Sequence, residues 1–337
     1  MGLKRTGKIT LKDVACSLSV STATVSKALR DASDISLEMR EKVKAKAKEM
    51  GFRPNLLARS LINNQSRIIG ILIPDLRISF FSEAVRGMYE EANKKGYETI
   101  LLIHDENKDL ERKKLEFLSD IHADGILLNP TGHRGNYDIY KKLSEEGIQT
   151  VCWDRKLYGL NYKSVTIDDY KASFELTEKM INQGRKNILF LGPDKGIQLT
   201  KDRFEGYKAA LEKNGIRFKP ELVLNSFRNF ADSYKKMSEV LKSKKKIDGL
   251  ISIGGLITYG AGKAILDGNR KIPDDIMIGE FGDNDIVSRL GVPLYTVYQN
   301  PYLIGKTSVD MLINFIEHKG KPALNNDIIV ESKILQR

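Results

Sequence analysis

Residues 10–30 read TLKDVACSLSVSTATVSKALR, and the spacing of their polar and apolar positions describes two short helices joined by a tight turn. Thr10 can cap the first helix with Asp13 as its third residue, and Leu11, Val14, Ala15 and Leu18 then fall at i, i+3, i+4 and i+7 on one buried face. Ser21 can cap the second, with Val20 before the cap and Val25 inside it placed as a hydrophobic staple. Such a pair is the helix-turn-helix unit, whose second helix lies in the major groove of duplex DNA.

On the second helix Thr22, Ala23, Ser26, Lys27 and Arg30 share a polar or small face, while Val25, Ala28 and Leu29 turn inward. Thr22, Ala23 and Lys27 are the candidates for base contacts. Lysine can donate to guanine O6 and N7, a threonine hydroxyl bonds either way, and a methyl group can touch the thymine methyl. Thr24, Ser26 and Arg30 are candidates for phosphate contacts, which position without reading sequence, and Thr10 and Ser21 at the two helix starts complete the DNA-facing set. An ordinary solvated helix face is the alternative for each of these residues taken singly. A third helix is expected from Ser36 as cap to Met50, with Met39, Val43, Ala47 and Met50 inward and Gly51 as its stop. Three helices make a small all-α domain over residues 1–53. Pro54 can then begin a short helix that Asn63-Asn64 ends, within a linker over 54–66.

Charge supports the same reading. The 337-residue chain carries a formal net charge of +11, and residues 1–60 hold thirteen Lys or Arg against six Asp or Glu, so seven of the eleven excess charges sit there. Concentration in one short domain suits a polyanionic partner. Hydrophobic residues at 41% and charged residues at 29% fit a soluble globular chain. No apolar run has membrane-spanning length, and the basic start runs straight into Ile9-Thr10-Leu11 without the apolar stretch of a signal peptide, so a cytoplasmic protein is expected. Cys16 and Cys152 form no ligand spacing, and neither a metal nor a cofactor is expected.

From Arg67 onward short apolar runs alternate with amphipathic stretches, the pattern of an α/β domain with parallel sheets. Candidate strands are 68–73, 99–103, 125–128, 150–153, 165–167, 187–191, 221–224, 250–253, 276–281 and 295–297. Residues 67–337 are expected to form two lobes, the first over about 67–161 and the second over about 162–298, with the C-terminal stretch returning to brace the first.

Three stretches carry a resemblance: Thr10-Leu11-Lys12-Asp13-Val14-Ala15, Val20-Ser21-x-x-Thr24-Val25-Ser26-x-Ala28-Leu29, and Gly51-Phe52-Arg53-Pro54-Asn55-x-x-Ala58-Arg59-Ser60-Leu61. They are dense, in register, and similar to the lactose-repressor (LacI/GalR) family. The resemblance implies a homodimer on double-stranded operator DNA, a large domain with the fold of periplasmic sugar-binding proteins, and a small-molecule effector of carbohydrate type between the lobes. It implies that the Pro-Asn segment is a hinge helix whose Leu61 wedges between base steps, with Asn55, Ala58 and Arg59 along the minor groove. Such a wedge kinks DNA at an unstacking cost of about a few kcal/mol. The family most often has Arg where Lys27 stands.

For the effector the resemblance points to Phe80 and Phe81 after the first strand, of which one is expected to face inward. It also points to Trp153 and Asp154 at the end of the fourth strand, where Asp154 can accept from sugar hydroxyls or instead pair with Arg155. Arg203 at a helix start, Gln299 and, on a looser alignment, Phe227 complete the set. Two departures stand out: the family's Asn-Asp is Gly254-Gly255 here, and its Gly-Phe-Asp-Asp is Glu280-Phe281-Gly282-Asp283. Asp283 or Glu280 can compensate, or the effector is unusual. Two rival classes share the large domain: an exported sugar-binding protein, which has no use for residues 1–61, and an enzyme. Against the enzyme stand four scattered histidines and the absence of a GxSxG or P-loop stretch.

Overall fold

The structure is a computed structural model that describes residues 9–52, 65–157, 159–192, 198–225, 229–243, 245–282, 285–318 and 326–337. The chain divides into two compact units, Met1–Ser66 and Arg67–Arg337.

In the first unit α1 spans Leu11–Leu18 and opens on a capping box. Thr10 Oγ1 accepts the Asp13 amide at 3.3 Å, and the Asp13 carboxylate accepts the Thr10 amide at 2.8 Å. Two otherwise orphaned donors are thereby satisfied. Ser19, with φ of 52°, ends α1 and turns the chain into α2, Thr22–Ala28, capped by Ser21 Oγ on the Thr24 amide at 3.0 Å. Ser36 caps α3, Leu37–Glu49, and Gly51 follows it at φ of +72°, where a side chain would be strained. Val14, Ala15, Val25, Ala28, Val43 and Ala47 form the core. Each fully buried Val contributes about 1.5–3 kcal/mol, so a core this thin depends on its caps as well.

The second unit alternates strands and helices: β1 Ile68–Ile73, α4 Ser79–Lys94, β2 Glu98–Ile103, α5 Lys108–Asp120, β3 Gly125–Leu128, α6 Tyr137–Glu145, β4 Gln149–Trp153 and β5 Lys163–Thr166. It continues through α7 Asp169–Asn182, β6 Ile188–Leu191, α8 Gln198–Lys213, β7 Val223–Leu224, α9 Phe230–Lys242, β8 Gly249–Ser252, α10 Gly255–Asp267, β9 Met277–Phe281, β10 Tyr295–Tyr298, α11 Pro301–Glu317, β11 Ile328–Ile329 and β12 Lys333–Gln336. The first sheet has the order β11-β5-β4-β3-β1-β2, and the second β12-β10-β9-β8-β6-β7. Every described pairing is parallel except β10 with β12. Strands such as β3, β4, β6 and β8 are buried almost throughout because helices cover both faces of a parallel sheet.

Two placements correct the sequence reading. Lys163–Thr166, expected to open the second lobe, pairs with β4 in the first sheet, Trp153 opposite Val165, and the crossing to the second lobe follows at Ile167-Asp168. Val165 is fully buried there, whereas a strand opening the second sheet would leave the edge of β4 bare. The C-terminal stretch braces both lobes. α11 packs on α4, where a Cβ at Gly305 would lie 2.0 Å from the Ala84 carbonyl oxygen and one at Gly87 would lie 2.3 Å from that of Tyr302. Only glycine allows two helix backbones so close. Beyond α11, β11 covers the edge of β5 and β12 covers that of β10.

Candidate nucleic-acid interface and ligand cleft

On α2 the side chains of Thr22, Ala23 and Lys27 are exposed and Ser26 is half-buried; Arg30, expected on the same helix, stands in the turn just past its end, half-buried, because the helix closes at Ala28. Several of the expected contacts are already engaged locally. Ser21 Oγ and Thr24 Oγ1 lie 2.8 Å apart, Thr10 Oγ1 donates to Asp13 at 2.6 Å, and Arg30 Nε donates to the Ser26 carbonyl at 3.1 Å. Lys27 Nζ meets Asp34 Oδ2 at 2.5 Å. The hydrogen bond from Lys27 holds the Asp34 carboxyl below its usual range. Asn55, Ala58, Arg59 and Leu61 lie outside the described residues, as do Phe227 and Asp283.

In the second unit the candidates gather where the strands of both sheets end. Phe80 and Phe81, at the start of α4, are both buried, which corrects the expectation that only one faces inward. Trp153 is the reason: its indole closes β4 as an apolar platform, stacked on Phe80 at 6.4 Å between centroids and edge-on to Phe81 at 5.9 Å. The Trp153 indole N–H is buried with no hydrogen-bond partner among the described residues. An unpaired buried donor costs on the order of 1–3 kcal/mol, and a ligand acceptor would relieve it.

Asp154 follows at φ of 61°, a left-handed turn. Its carboxylate accepts from Asn129 Nδ2 at 3.0 Å, and burial pushes it above the ordinary carboxyl range against the pull of Arg155, Arg203 and Asn129. Pairing with Arg155 is secondary, since Arg155 Nε lies 3.9 Å away and its fork holds Glu106 at 2.9 and 2.6 Å. Across the cleft Arg203 Nε donates to Asp169 Oδ1 at 2.7 Å and one of its terminal nitrogens to Gln299 Oε1 at 3.3 Å. The guanidinium lies 3.8 Å from the centroid of the Phe281 ring. Burial pushes the Asp169 carboxyl up to about 6, opposed by the Arg203 charge and hydrogen bond.

Asp169 and Asn129 are the residues that sequence reasoning missed. Both had a signal at the end of the sheet where ligands of open α/β domains bind, since Asn129 directly follows β3 and Asp169 opens α7 three residues after β5. The glycine departure also has a backbone account. Gly254 stands at φ 95° and ψ −179°, a conformation essentially closed to other residues, so no asparagine fits that turn. Glu280 is buried on β9, beside Ser252 of β8. A cavity of about 300 Å³ opens beside Asp154 and Asp169, lined also by Arg155, Thr166, Asp168 and Asp202 among others, with Phe80, Phe81, Trp153, Arg203, Glu280 and Gln299 outside its lining. A second of about 400 Å³, between Tyr140, Gln149, Tyr162 and Phe315, holds none of the candidates. Among the described residues, no group of three or more His, Cys, Asp or Glu is placed to hold a metal ion.

Residues 10–55 match the family described as bacterial regulatory proteins, lacI family, and residues 69–321 match the periplasmic binding protein domain. The chain is 32% identical over 328 residues to the HTH-type transcriptional regulator RegA of Clostridium saccharobutylicum, covering 97% of this chain and 98% of that one. This chain belongs to the lacI family of bacterial regulatory proteins. As a lacI-family member it is a DNA-binding transcriptional regulator and not an enzyme. Another relative is the ribose operon repressor of Halalkalibacterium halodurans, 31% identical over 310 residues, 92% of this chain and 91% of that protein. Among solved structures, the lac repressor dimer bound to operator and an anti-inducer superposes with a TM-score of 0.82 at 20% identity, covering 98% of each chain. The two-lobed fold of the lacI family is therefore present in full. Among the described residues, no helix of this lacI-family chain is long and apolar enough to cross a membrane.

Proposed function

We propose that this regulator is a cytoplasmic, dimeric repressor whose grip on a near-palindromic operator is set by a sugar or related polyol held between its lobes. The observation that carries the reading is the convergence of Asp154, Asp169, Arg203 and Gln299 beside the buried Phe80, Phe81 and Trp153. Carboxylates and a guanidinium fork bind vicinal hydroxyls, and aromatic rings stack on the apolar faces of sugars. That a relative is named a ribose operon repressor supports the class. In this reading residues 1–53 read the operator through Thr10, Ser21, Thr22, Ala23, Thr24, Ser26, Lys27 and Arg30. Residues 54–66 act as the hinge, with Asn55, Ala58, Arg59 and Leu61 at the minor groove. Residues 67–337 bind effector, through Phe227 and Asp283 as well, and dimerise.

Effector binding acts by favouring one arrangement of the lobes over another, and only a difference in affinity between the two can shift DNA binding. Trp153 is the sole tryptophan of the chain, so its fluorescence reports on the cleft without a label. The test is to titrate a panel of sugars and follow Trp153 emission together with retention of operator fragments selected from the source genome. A sugar that saturates both signals at one concentration range is expected; sugars that change neither, while DNA binding is intact, would sink the effector reading. Leu61→Ala is expected to weaken operator binding about 10-fold or more without changing the Trp153 titration, and equal loss of both would refute the division of labour.

A further inference from the structure

We infer that Asp34 is a specificity-determining residue of the DNA-reading face, because its carboxylate holds the Lys27 ammonium and keeps it from binding phosphates indiscriminately. The inference rests on the proposal that Lys27 reads a base. Asp34 lies in the loop between α2 and α3, and this loop is braced: Arg40 Nε donates to the Ile35 carbonyl at 2.9 Å, and Lys44 Nζ reaches Asp31 Oδ1 at 2.6 Å. The carboxylate is therefore presented from a fixed backbone and meets Lys27 Nζ at 2.5 Å.

Of the base-contact candidates on α2, Thr22 and Ala23 carry no charge, so Lys27 supplies the cation. An unattached lysine would follow phosphates anywhere on a duplex, since that attraction carries no sequence information. Paired with Asp34, the ammonium and carboxylate are together neutral and draw phosphates little, while guanine O6 and N7 presented together can still take the ammonium's donors. Once released, the carboxylate is itself an acceptor for cytosine N4, and opposite any other arrangement it repels the polyanion. Asp34 thus lowers affinity for random sequence more than for the operator.

The experiment compares full-length wild type, Asp34→Asn and Lys27→Ala, each selecting from a pool of fully randomised duplex DNA, with affinity for the unselected pool measured across salt concentrations. Asp34→Asn is expected to bind the unselected pool about 3- to 10-fold tighter at moderate salt, with a salt slope steeper by roughly one. Its selected motif is expected to lose preference at one symmetry-related pair of positions, the same pair that Lys27→Ala loses, and to keep the rest. Should Lys27→Ala leave the motif intact, the base-reading role of Lys27 falls and the inference with it. Should Lys27→Ala erase that position while Asp34→Asn keeps it and binds the pool no tighter, the role of Asp34 alone is overturned. Uniform weakening across motif and pool by both Asp34→Asn and Asp34→Ser would mark a merely structural residue and overturn it equally.

Discussion

Lys27 and Asp34 meet with about half of each side chain in water, 47% and 54% exposed, whereas Arg203 and Asp169 meet with 5% and 8% exposed. The same chemistry serves opposite ends. Water screens the first pair and lets its partners exchange, which suits a surface that must give up its ion pairs to DNA. In the second, desolvation of the Asp169 carboxylate outweighs the attraction of Arg203, so the pair is no source of net stability while removal of one partner is costly. A site built on such a pair holds its geometry between ligands.

The comparison breaks first at Arg203. Arg203→Ala is expected to destabilise the large unit by about 3–5 kcal/mol at pH 7.5, read from the denaturant midpoint, because it strands the Asp169 carboxylate. The loss should shrink at pH 5, where an unpaired buried carboxyl takes up a proton; a loss that does not vary with pH would refute the buried-pair account. Asp169→Asn sharpens the same point. The folded carboxyl titrates near 6, above its unfolded value near 4, so the folded chain holds more protons between those two values. Wild-type stability relative to Asp169→Asn should therefore fall by about 2–3 kcal/mol as pH rises from about 4 to about 6, and stay level above that. A difference flat across that window would show that Arg203 keeps the carboxyl ionised throughout. The smallest effect is expected in the first unit, where Thr10→Ala removes a cap and should cost about 1 kcal/mol by thermal or chemical denaturation, leaving the midpoint of the large unit unchanged.

Legibility in the sequence followed the range of the forces involved. The capping box of Thr10 and Asp13, the Ser21 and Ser36 caps and the stop at Gly51 are interactions within a few residues, and all four stand where the spacing put them. Apolar runs located β1 and β3 to the residue, since strands covered on both faces need no alternation. The short, half-exposed β11 and β12 carried no such signal, because pairing at a sheet edge depends on what the rest of the chain leaves open.

The candidate site divided in the same way. Phe80, Trp153, Asp154 and Gln299 were legible as positions at strand and helix ends, whereas Arg203, expected at a helix start, stands in the second turn of α8 because that helix begins at Gln198; the partners of all five were not legible. That Arg203 turns to Asp169 and Gln299, and that Arg155 leaves Asp154 for Glu106, follows from side chains 34, 96 and 49 residues apart meeting in a space where water is excluded. The amino-acid sequence by itself determined the helix-turn-helix, the alternation of strands and helices and the concentration of positive charge near the N-terminus, because propensity, capping and net charge are local or additive. Only the tertiary structure decided which sheet received Lys163–Thr166, that the C-terminal strands close an edge of each sheet, and which carboxylate neutralises which cation. Those outcomes are competitions among distant groups for one desolvated place, and no single stretch of chain holds all the competitors.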